Sequence, residues 1–148
     1  MNKKIKGATL KTVNNITFKS HFEASVYNTL LQEGFNPKYE EVTYTIMSGY
    51  YPTINYYTGK RKQLLKKSTH KIRDITYTPD FTFFYNNKLI IIEVKGFEND
   101  TFPLKNKLFL NYLEDLYKKG NIEYPIFYFV IYDKQHLLQT ISIIKQEL

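Results

Sequence analysis

The stretch TYTPDFTFFYNNKLIIIEVKG, residues 76–96, constrains the fold of this chain more than any other. Its two apolar halves flank Asn86-Asn87, and asparagine tolerates the left-handed backbone that a two-residue hairpin turn requires. The stretch therefore predicts a β-hairpin. It also carries three charged residues that a buried sheet normally excludes: Asp80, Glu93 and Lys95.

The turn fixes which residues of the two strands face each other. Counting outward from it, Asp80 faces Glu93, and one step further Thr78 faces Lys95. Successive side chains of a strand point to opposite faces of the sheet, so Glu93 and Lys95 share a face and Asp80 lies opposite Glu93 on that face. The sequence thus predicts two carboxylates and one ammonium group close together.

Two carboxylates on directly opposed strand residues, about 5 Å apart at their β-carbons, repel each other, and burial raises that cost. Lys95 offsets part of the repulsion, and a divalent cation would offset more. Carboxylate oxygens suit Mg²⁺, with Mn²⁺ as a substitute, and the backbone carbonyl of Val94 could be a further ligand. The alternative is a structural cluster on a solvated face. Pro79 at a strand start and Gly96 at a strand end favour the metal site, since both indicate special backbone geometry.

The other apolar patterns predict three helices and more strands. Helical spacing followed by Gly34 indicates a first helix in FKSHFEASVYNTLLQEG. KYEEVTYTI, from Lys38, is β-rich. Pro103 opens a second helix and Gly120 closes it. The apolar side of that helix is predicted to contain Leu104, Leu108, Leu113, Leu116 and Tyr117.

The apolar run PIFYFVIYD is typical of a strand covered on both faces, and KQHLLQTISIIKQEL of a final amphipathic helix. The predicted order is α-β-β-β-α-β-α, an α/β fold with a mixed β-sheet flanked by helices. The strand after the second helix is expected to run parallel to the strand of Glu93 through a right-handed crossover.

Length and composition suggest one domain, residues 1–148, with 43% hydrophobic residues. Residues 1–15 are predicted to be a flexible basic arm, and residues 48–73 an inserted aromatic and basic segment. Without cysteine, disulfides and thiolate zinc sites are excluded. No apolar run is long enough to cross a bilayer, and the first residues show no signal-peptide core, so a cytoplasmic protein is expected.

The formal net charge of +7 favours an anionic partner, and nucleic acid is the commonest one for a basic domain rich in tyrosine. The inserted segment and the start of the second helix supply the predicted phosphate contacts: Lys60, Arg61, Lys62, Lys66, Lys67, Lys71, Arg73, Lys105 and Lys107. The segment's tyrosines could stack on unpaired bases or could pack in the core or against a second subunit: Tyr50, Tyr51, Tyr56 and Tyr57.

Two short motifs, Pro79-Asp80 and Glu93-Val94-Lys95, resemble the signature of the PD-(D/E)xK nuclease superfamily. With their flanks FKSHFEASVYNTLLQEGFNPKYEEV, TYTPDF and IIIEVKG, they are similar to the bacteriophage endonuclease I family of Holliday-junction resolvases. The similarity extends from about residue 18 to 97. It implies a restriction-endonuclease-like core and a bound Mg²⁺.

By that resemblance, Asp80 and Glu93 would be metal ligands, Lys95 would orient or activate the attacking water, and Glu23 would be the acid contributed by the first helix. Glu23 has a second interpretation from the residues themselves. The order Ser20-His21-Phe22-Glu23 fits a capping box, in which a glutamate at the third helical position bonds back towards the helix cap.

The resemblance implies a Mg²⁺-dependent endodeoxyribonuclease that is phage-encoded, acts on branched DNA and works in the bacterial host cytoplasm. A symmetric junction needs two coordinated cuts, which favours a two-fold homodimer. The span between the first helix and TYTPDF is longer here than in the phage resolvases, where it bridges two intertwined subunits. The alternatives are a nuclease that cuts duplex DNA at a site or a nick, and a non-catalytic DNA-binding module on a nuclease fold.

Overall fold

Three helices surround a mixed four-stranded sheet in the part of the chain that the computed structural model describes, residues 9–96 and 101–148. The elements in chain order are β1 (Lys11–Val13), β2 (Ile16–Phe18), α1 (His21–Gln32), β3 (Lys38–Tyr39), β4 (Tyr44–Met47), β5 (Tyr57–Thr58), β6 (Lys66–Lys67), β7 (Ile75–Tyr77), β8 (Phe81–Tyr85), β9 (Lys88–Val94), α2 (Phe102–Lys118), β10 (Ile126–Ile131) and α3 (Lys134–Glu147). Within these ranges, no helix combines the length and apolarity that a membrane span needs.

The main sheet has the strand order β10-β9-β8-β3. Strand β9 is antiparallel to β8 and parallel to β10, as predicted. The sheet and its helices follow one another as α1-β3-β8-β9-α2-β10-α3, which is the predicted α-β-β-β-α-β-α order. The chain is therefore a mixed α/β protein. The additional short strands lie in three separate two-stranded ladders.

The central hairpin has the predicted register. Asn86 and Asn87 both have positive φ, 46° and 59°, as a type I′ turn requires. Tyr85 pairs with Lys88 next to the turn, and the ladder of β8 and β9 continues to Phe81 and Ile92. Asparagine adopts this backbone at low cost, so two adjacent side chains determine the register of the whole hairpin.

The two faces of this sheet bury different cores. Helices α1 and α3 cover one face, where Ile90 and Ile92 pack with Phe81 and Ile141. Phe109 of α2 covers the other face, with Leu89, Ile91 and Tyr77. Each fully buried side chain of this size contributes about 1.5–3 kcal/mol through removal of apolar surface from water. Because Glu93 alternates with Ile92, it lies on the α2 face.

The structure describes residues 9–15 of the predicted arm, and part of this range is paired. Strands β1 and β2 form a hairpin, with Val13 paired to Ile16. Asn14 and Asn15 have φ of 50° and 63°, the same turn chemistry as in the central hairpin. Residues 1–8, the rest of that prediction, lie outside the described residues.

Two strands lie in the β-rich segment from Lys38, β3 and β4, which belong to different ladders. The predicted apolar side of α2 needs correction. In α2, Leu104 and Leu108 face outward, and the buried apolar residues include Phe109 and Leu113. Strand β10 is an edge of the sheet and most of its residues are half-buried, but both of its faces are covered: Phe127 and Phe129 pack against one core, and Ile126 and Tyr128 against the other. An apolar run alone does not separate an edge strand from a central one.

Residues 48–73, which we call the ribbon, form a two-stranded antiparallel extension from the rest of the chain. A bridge between Tyr50 and Ile72 pairs the two segments near the base, where the Gly49 N–H donates to Asp74 Oδ1 at 2.6 Å. Further out, β5 pairs with β6, and the Ser68 N–H donates to the Tyr56 carbonyl at 2.8 Å. Nearly all ribbon residues are exposed, so hydrogen bonds rather than a core hold it.

Candidate active site

Asp80 lies where the ladder between β8 and β9 stops. Pro79 has no N–H to donate, so regular pairing ends at Phe81 and Ile92. The Val94 N–H donates instead to Asp80 Oδ2 at 2.7 Å. The backbone of Asp80 is held as well, since its carbonyl accepts from the Glu40 N–H at 2.9 Å. The proline-aspartate pair therefore replaces a backbone rung with a fixed carboxylate.

Asp80 and Glu93 are both buried and are close enough to interact electrostatically. Burial raises the pKa of the Asp80 carboxyl well above its ordinary value, and the negative charge of Glu93 raises it further. The hydrogen bond from Val94 acts in the opposite direction, as does the positive charge of Lys95. The predicted meeting of two acids on one side of the sheet is thus present, with an electrostatic cost that the protein itself only partly offsets.

Lys95 pairs with one oxygen of Glu93. Its Nζ lies 2.5 Å from Glu93 Oε1 and 4.3 Å from the ring centre of Phe102 in the first turn of α2. The other carboxylate oxygen, Glu93 Oε2, is buried and has no hydrogen-bond partner among the described residues. A buried charged oxygen without a partner costs free energy that a bound cation would recover.

Two tyrosines lie on the Glu93 side of the sheet. The hydroxyl groups of Tyr77 and Tyr128 are 2.9 Å apart. Burial raises the pKa of both hydroxyls, and the charge of Glu93 adds to the effect on each. The Tyr77 hydroxyl approaches the Glu93 carboxylate, which raises its pKa further, but without the geometry of a hydrogen bond to Oε2. Both hydroxyl groups therefore stay neutral near pH 7.

Glu23 lies at the start of α1 and caps that helix. Its own N–H donates to the Ser20 hydroxyl at 3.1 Å, and its carboxylate accepts from the Lys19 N–H at 3.1 Å and from the Ser20 hydroxyl at 2.9 Å. The Tyr39 hydroxyl donates to Glu23 Oε2 at 2.6 Å. The predicted capping role is confirmed. The charge of Glu23 reaches Asp80 and adds to the rise of its pKa, but its oxygens already accept three hydrogen bonds.

The donor set of the site fits a small divalent cation in its chemistry. Asp80 and Glu93 supply carboxylate oxygens, the ligands that Mg²⁺ and Mn²⁺ prefer. The N–H and C=O of one strand residue point to the same side, so the Val94 carbonyl faces the side on which Asp80 lies. Among residues 9–96 and 101–148, no group of three or more acidic or histidine side chains is arranged to hold a metal. Other ligands would therefore come from backbone, water or substrate.

The predicted phosphate-contacting residues occupy two places. The ribbon carries seven of them, all exposed: Lys60, Arg61, Lys62, Lys66, Lys67, Lys71 and Arg73. The other two lie in the first turns of α2, where Lys107 is exposed and Lys105 is half-buried, with its Nζ 3.4 Å from the Thr76 carbonyl. Lys105 thus also connects α2 to the strand before Asp80.

The four ribbon tyrosines are exposed, which excludes packing in the core of the chain as their role: Tyr50, Tyr51, Tyr56 and Tyr57. Stacking on bases and contact with a second subunit both remain open. Three of them line a groove of about 560 Å³ together with Pro52, Thr53, Ile54 and Ile72.

Sequence reasoning missed three aromatic residues that shape the site. Tyr39 holds Glu23, Tyr77 lies near Glu93, and Phe102 lies under the Lys95 ammonium. Tyr77 could have been found, because it is three residues before Asp80. Tyr39 and Phe102 lie outside the predicted hairpin, and no local pattern connects them with the charged cluster.

The family comparison gives one match, which covers residues 3–128 and is described as "Protein of unknown function (DUF1064)". No curated protein matches the chain. No solved structure matches it either.

Proposed function

The chain belongs to the DUF1064 family of proteins of unknown function, and from its own site we propose that it is a metal-dependent endodeoxyribonuclease. One observation carries the proposal. Asp80 and Glu93 are two buried acids at the ends of neighbouring strands, and Glu93 Oε2 has no partner among the described residues while Lys95 lies on Oε1. Few buried polar atoms of native proteins lack a partner, so such a carboxylate oxygen favours a bound cation.

Each residue has a distinct role in this proposal. Asp80 and Glu93 hold Mg²⁺, for which Mn²⁺ can substitute, and the Val94 carbonyl completes the protein ligands. Bound there, the cation would lower the pKa of a coordinated water and stabilise charge on the leaving oxygen of a phosphodiester. Lys95 places its ammonium group next to the reacting phosphate and water. Tyr77 and Tyr128 exclude water behind Glu93.

Glu23 has a supporting role. Its carboxylate fixes the start of α1 and adds negative charge near Asp80, which strengthens the attraction for a cation. The four-stranded mixed sheet with its element order is compatible with a restriction-endonuclease-like core, and the PD-(D/E)xK assignment is part of the proposal.

The substrate in this proposal is DNA, branched DNA in particular, and the ribbon supplies much of the affinity. Seven cations on an exposed, acid-free segment suit phosphate contacts that are independent of sequence. Two coordinated cuts at a junction favour a two-fold homodimer. A cytoplasmic location, that of the bacterial host for a phage-encoded protein, belongs to the same proposal.

The test uses the full chain and its Asp80→Asn variant on a four-way junction, a linear duplex and single strands, in Mg²⁺ and in EDTA. Asparagine keeps an acceptor for the Val94 N–H and removes the charge, so the variant isolates the metal-binding role. We expect cleavage by the wild type in Mg²⁺ only, and a loss of about a thousandfold in Asp80→Asn.

Paired nicks confined to the junction support the branched-DNA proposal. Equal cutting of the linear duplex makes the chain a duplex nuclease instead. If the wild type binds DNA without cutting it in Mg²⁺ or in Mn²⁺, the enzymatic proposal is overturned and a non-catalytic DNA-binding module remains.

A further inference from the structure

The ribbon carries the whole net charge of the molecule. It contains seven of the 21 basic residues and none of the 14 acidic ones, so the remaining 14 basic and 14 acidic residues cancel. Its cations run from the distal turn at Lys60 to Arg73 at the base. Charge distributed along an exposed two-stranded segment matches a phosphate backbone that follows the same path.

Two adjacent leucines occupy the distal end of the ribbon. Leu64 is 86% exposed and Leu65 is 71% exposed. One exposed leucine on a surface needs no explanation, but two neighbouring exposed leucines at the end of a projecting segment give it an apolar tip. Five cations flank this tip in the chain: Lys60, Arg61, Lys62, Lys66 and Lys67.

The backbone presents this tip on a tightly packed turn. The Gln63 N–H donates to the Lys60 carbonyl at 3.0 Å, and Lys62 has a φ of 68°. A β-carbon on Gly59 would lie 2.8 Å from the Leu64 carbonyl oxygen, so only glycine permits this close approach of the two segments. The backbone of Leu64 is therefore packed against Gly59, while its side chain is exposed to solvent.

We propose that the ribbon enters a groove of DNA and that Leu64 and Leu65 insert as an apolar wedge between base pairs at a step that is already weakly stacked. A two-stranded β-ribbon fits a DNA groove, and apolar side chains are known wedges between base steps. Insertion costs least where stacking is interrupted, as at a mismatch or a branch point. The wedge thereby gives the chain a preference for distorted DNA. The inference rests on the DNA substrate of the proposed function, but not on cleavage.

Two other occupants of the tip fit the charges less well. A bilayer surface would be contacted by the tip alone, whereas Lys71 and Arg73 extend the positive charge to the base of the ribbon. A second copy of the ribbon would bring seven cations against seven others. Duplex DNA complements both the length of the charged segment and its apolar end.

The test compares the wild type with the Leu64→Ser, Leu65→Ser double variant in EDTA, so that binding is measured without cleavage. The probes are a perfect duplex, the same duplex with one mismatch, and a four-way junction. Each carries 2-aminopurine, placed beside the mismatch or the branch point and at the matching position of the perfect duplex. Leu138→Ser is the matched control, since Leu138 is an exposed leucine on α3, outside the ribbon. Circular dichroism checks that each variant is folded.

We expect the wild type and the control to bind the mismatched duplex and the junction about tenfold more tightly than the perfect duplex, and to raise 2-aminopurine fluorescence. In the double variant, affinity for the perfect duplex and its salt dependence stay unchanged, while the preference and the fluorescence rise disappear. A double variant that retains the preference overturns the wedge, and so does an equal loss of affinity for all three DNAs.

Two further results would reassign the tip. The double variant is also tested on vesicles of anionic phospholipid and by sedimentation velocity. Leucine-dependent vesicle binding with an unchanged DNA preference makes it a membrane contact. A leucine-dependent change of oligomeric state makes it a subunit contact. Failure of the proposed nuclease function looks different, because DNA binding would persist with its preference but without cleavage in Mg²⁺.

Discussion

The charged site and the ribbon use charge in opposite ways. At the site, Asp80 and Glu93 are buried, few in number and each held by a specific contact. On the ribbon, seven like charges are exposed. None of these seven forms an ion pair with an acidic side chain of the described residues. Buried charges act over short distances in a low dielectric and must be placed accurately, whereas exposed charges act collectively and are screened by salt. The difference in burial predicts that the proposed cleavage and the proposed DNA affinity respond to different mutations.

Among the changes that test this separation, Lys95→Ala should give the largest effect. Lys95→Ala removes the ammonium group from Glu93 Oε1 and from the Phe102 ring, and we expect cleavage to fall at least about a hundredfold. Junction binding should stay within about twofold, since the exposed cations that we propose as phosphate contacts remain. Single-turnover cleavage and binding in EDTA measure the two effects.

The matched control for Lys95 is Lys145→Ala, which removes an exposed lysine that pairs with Glu33 on the far side of the sheet. It should leave cleavage unchanged. An equal loss of binding and cleavage in Lys95→Ala would show that this lysine anchors a phosphate or the fold, and the division between the two regions would fail.

A charge-removing variant of the ribbon should give the second largest effect. Replacing Lys60, Arg61 and Lys62 with glutamine should weaken binding to every DNA and make the slope of log affinity against log salt concentration shallower by up to about 2.7, from 0.9 per phosphate contact. Cleavage at saturating DNA should stay unchanged. The same three-charge change at Lys118, Lys119 and Lys134 is the control. A lower rate at saturation would mean that the ribbon also positions the reacting phosphate.

A pH effect on stability should distinguish the buried acid from the exposed bases. The folded chain holds the Asp80 proton more tightly than the unfolded chain does, because burial and Glu93 raise the pKa of that carboxyl above 3.8. This carboxyl therefore adds stability at low pH, and the contribution is lost as pH rises through the folded pKa. Each pKa unit corresponds to about 1.4 kcal/mol.

Urea unfolding in EDTA measures this contribution, at pH values from below 3.8 up through the raised pKa of Asp80 in the folded chain. The free energy of unfolding should fall more steeply with rising pH in the wild type than in Asp80→Asn, and Mg²⁺ should restore stability at the upper end. Identical slopes in the two proteins would mean that the Asp80 carboxyl makes no pH-dependent contribution to stability.

The smallest expected effect concerns the support of Glu23. Tyr39→Phe removes a 2.6 Å hydrogen bond to a buried carboxylate and should lower the free energy of unfolding by about 1–3 kcal/mol. Tyr57→Phe, in the exposed ribbon, should have no measurable effect on unfolding. If Tyr39→Phe also abolishes cleavage in folded protein, Glu23 acts in the chemistry and not only as a helix cap.

Local sequence predicted the hairpin because its determinants are neighbours in the chain. Two asparagines fix the turn, and counting from them brings Asp80, Glu93 and Lys95 to one side of the sheet. The cap of α1 was predictable for the same reason, since Ser20 and Glu23 belong to one turn of helix.

What sequence could not predict depends on tertiary packing. Whether the apolar strand β10 is central or at an edge depends on which chain segment lies beside it, and nothing within the strand encodes that. In α2, Leu104 and Phe109 are equally apolar, and only the position of the sheet decides which one is buried. The short hairpin of β1 and β2 was missed because each strand has only three residues, although its asparagine turn was visible.

The bond from the Val94 amide to Asp80 gives the site a built-in reporter. The Asp80 carboxylate, which we propose as a metal ligand, accepts this bond. A change in its coordination should therefore alter the environment of the Val94 amide proton. The chemical shift and hydrogen-exchange rate of that single NMR signal would therefore follow Mg²⁺ titration directly. Such a probe needs no label beyond nitrogen-15 and no DNA, and it reports on the ligand atom itself.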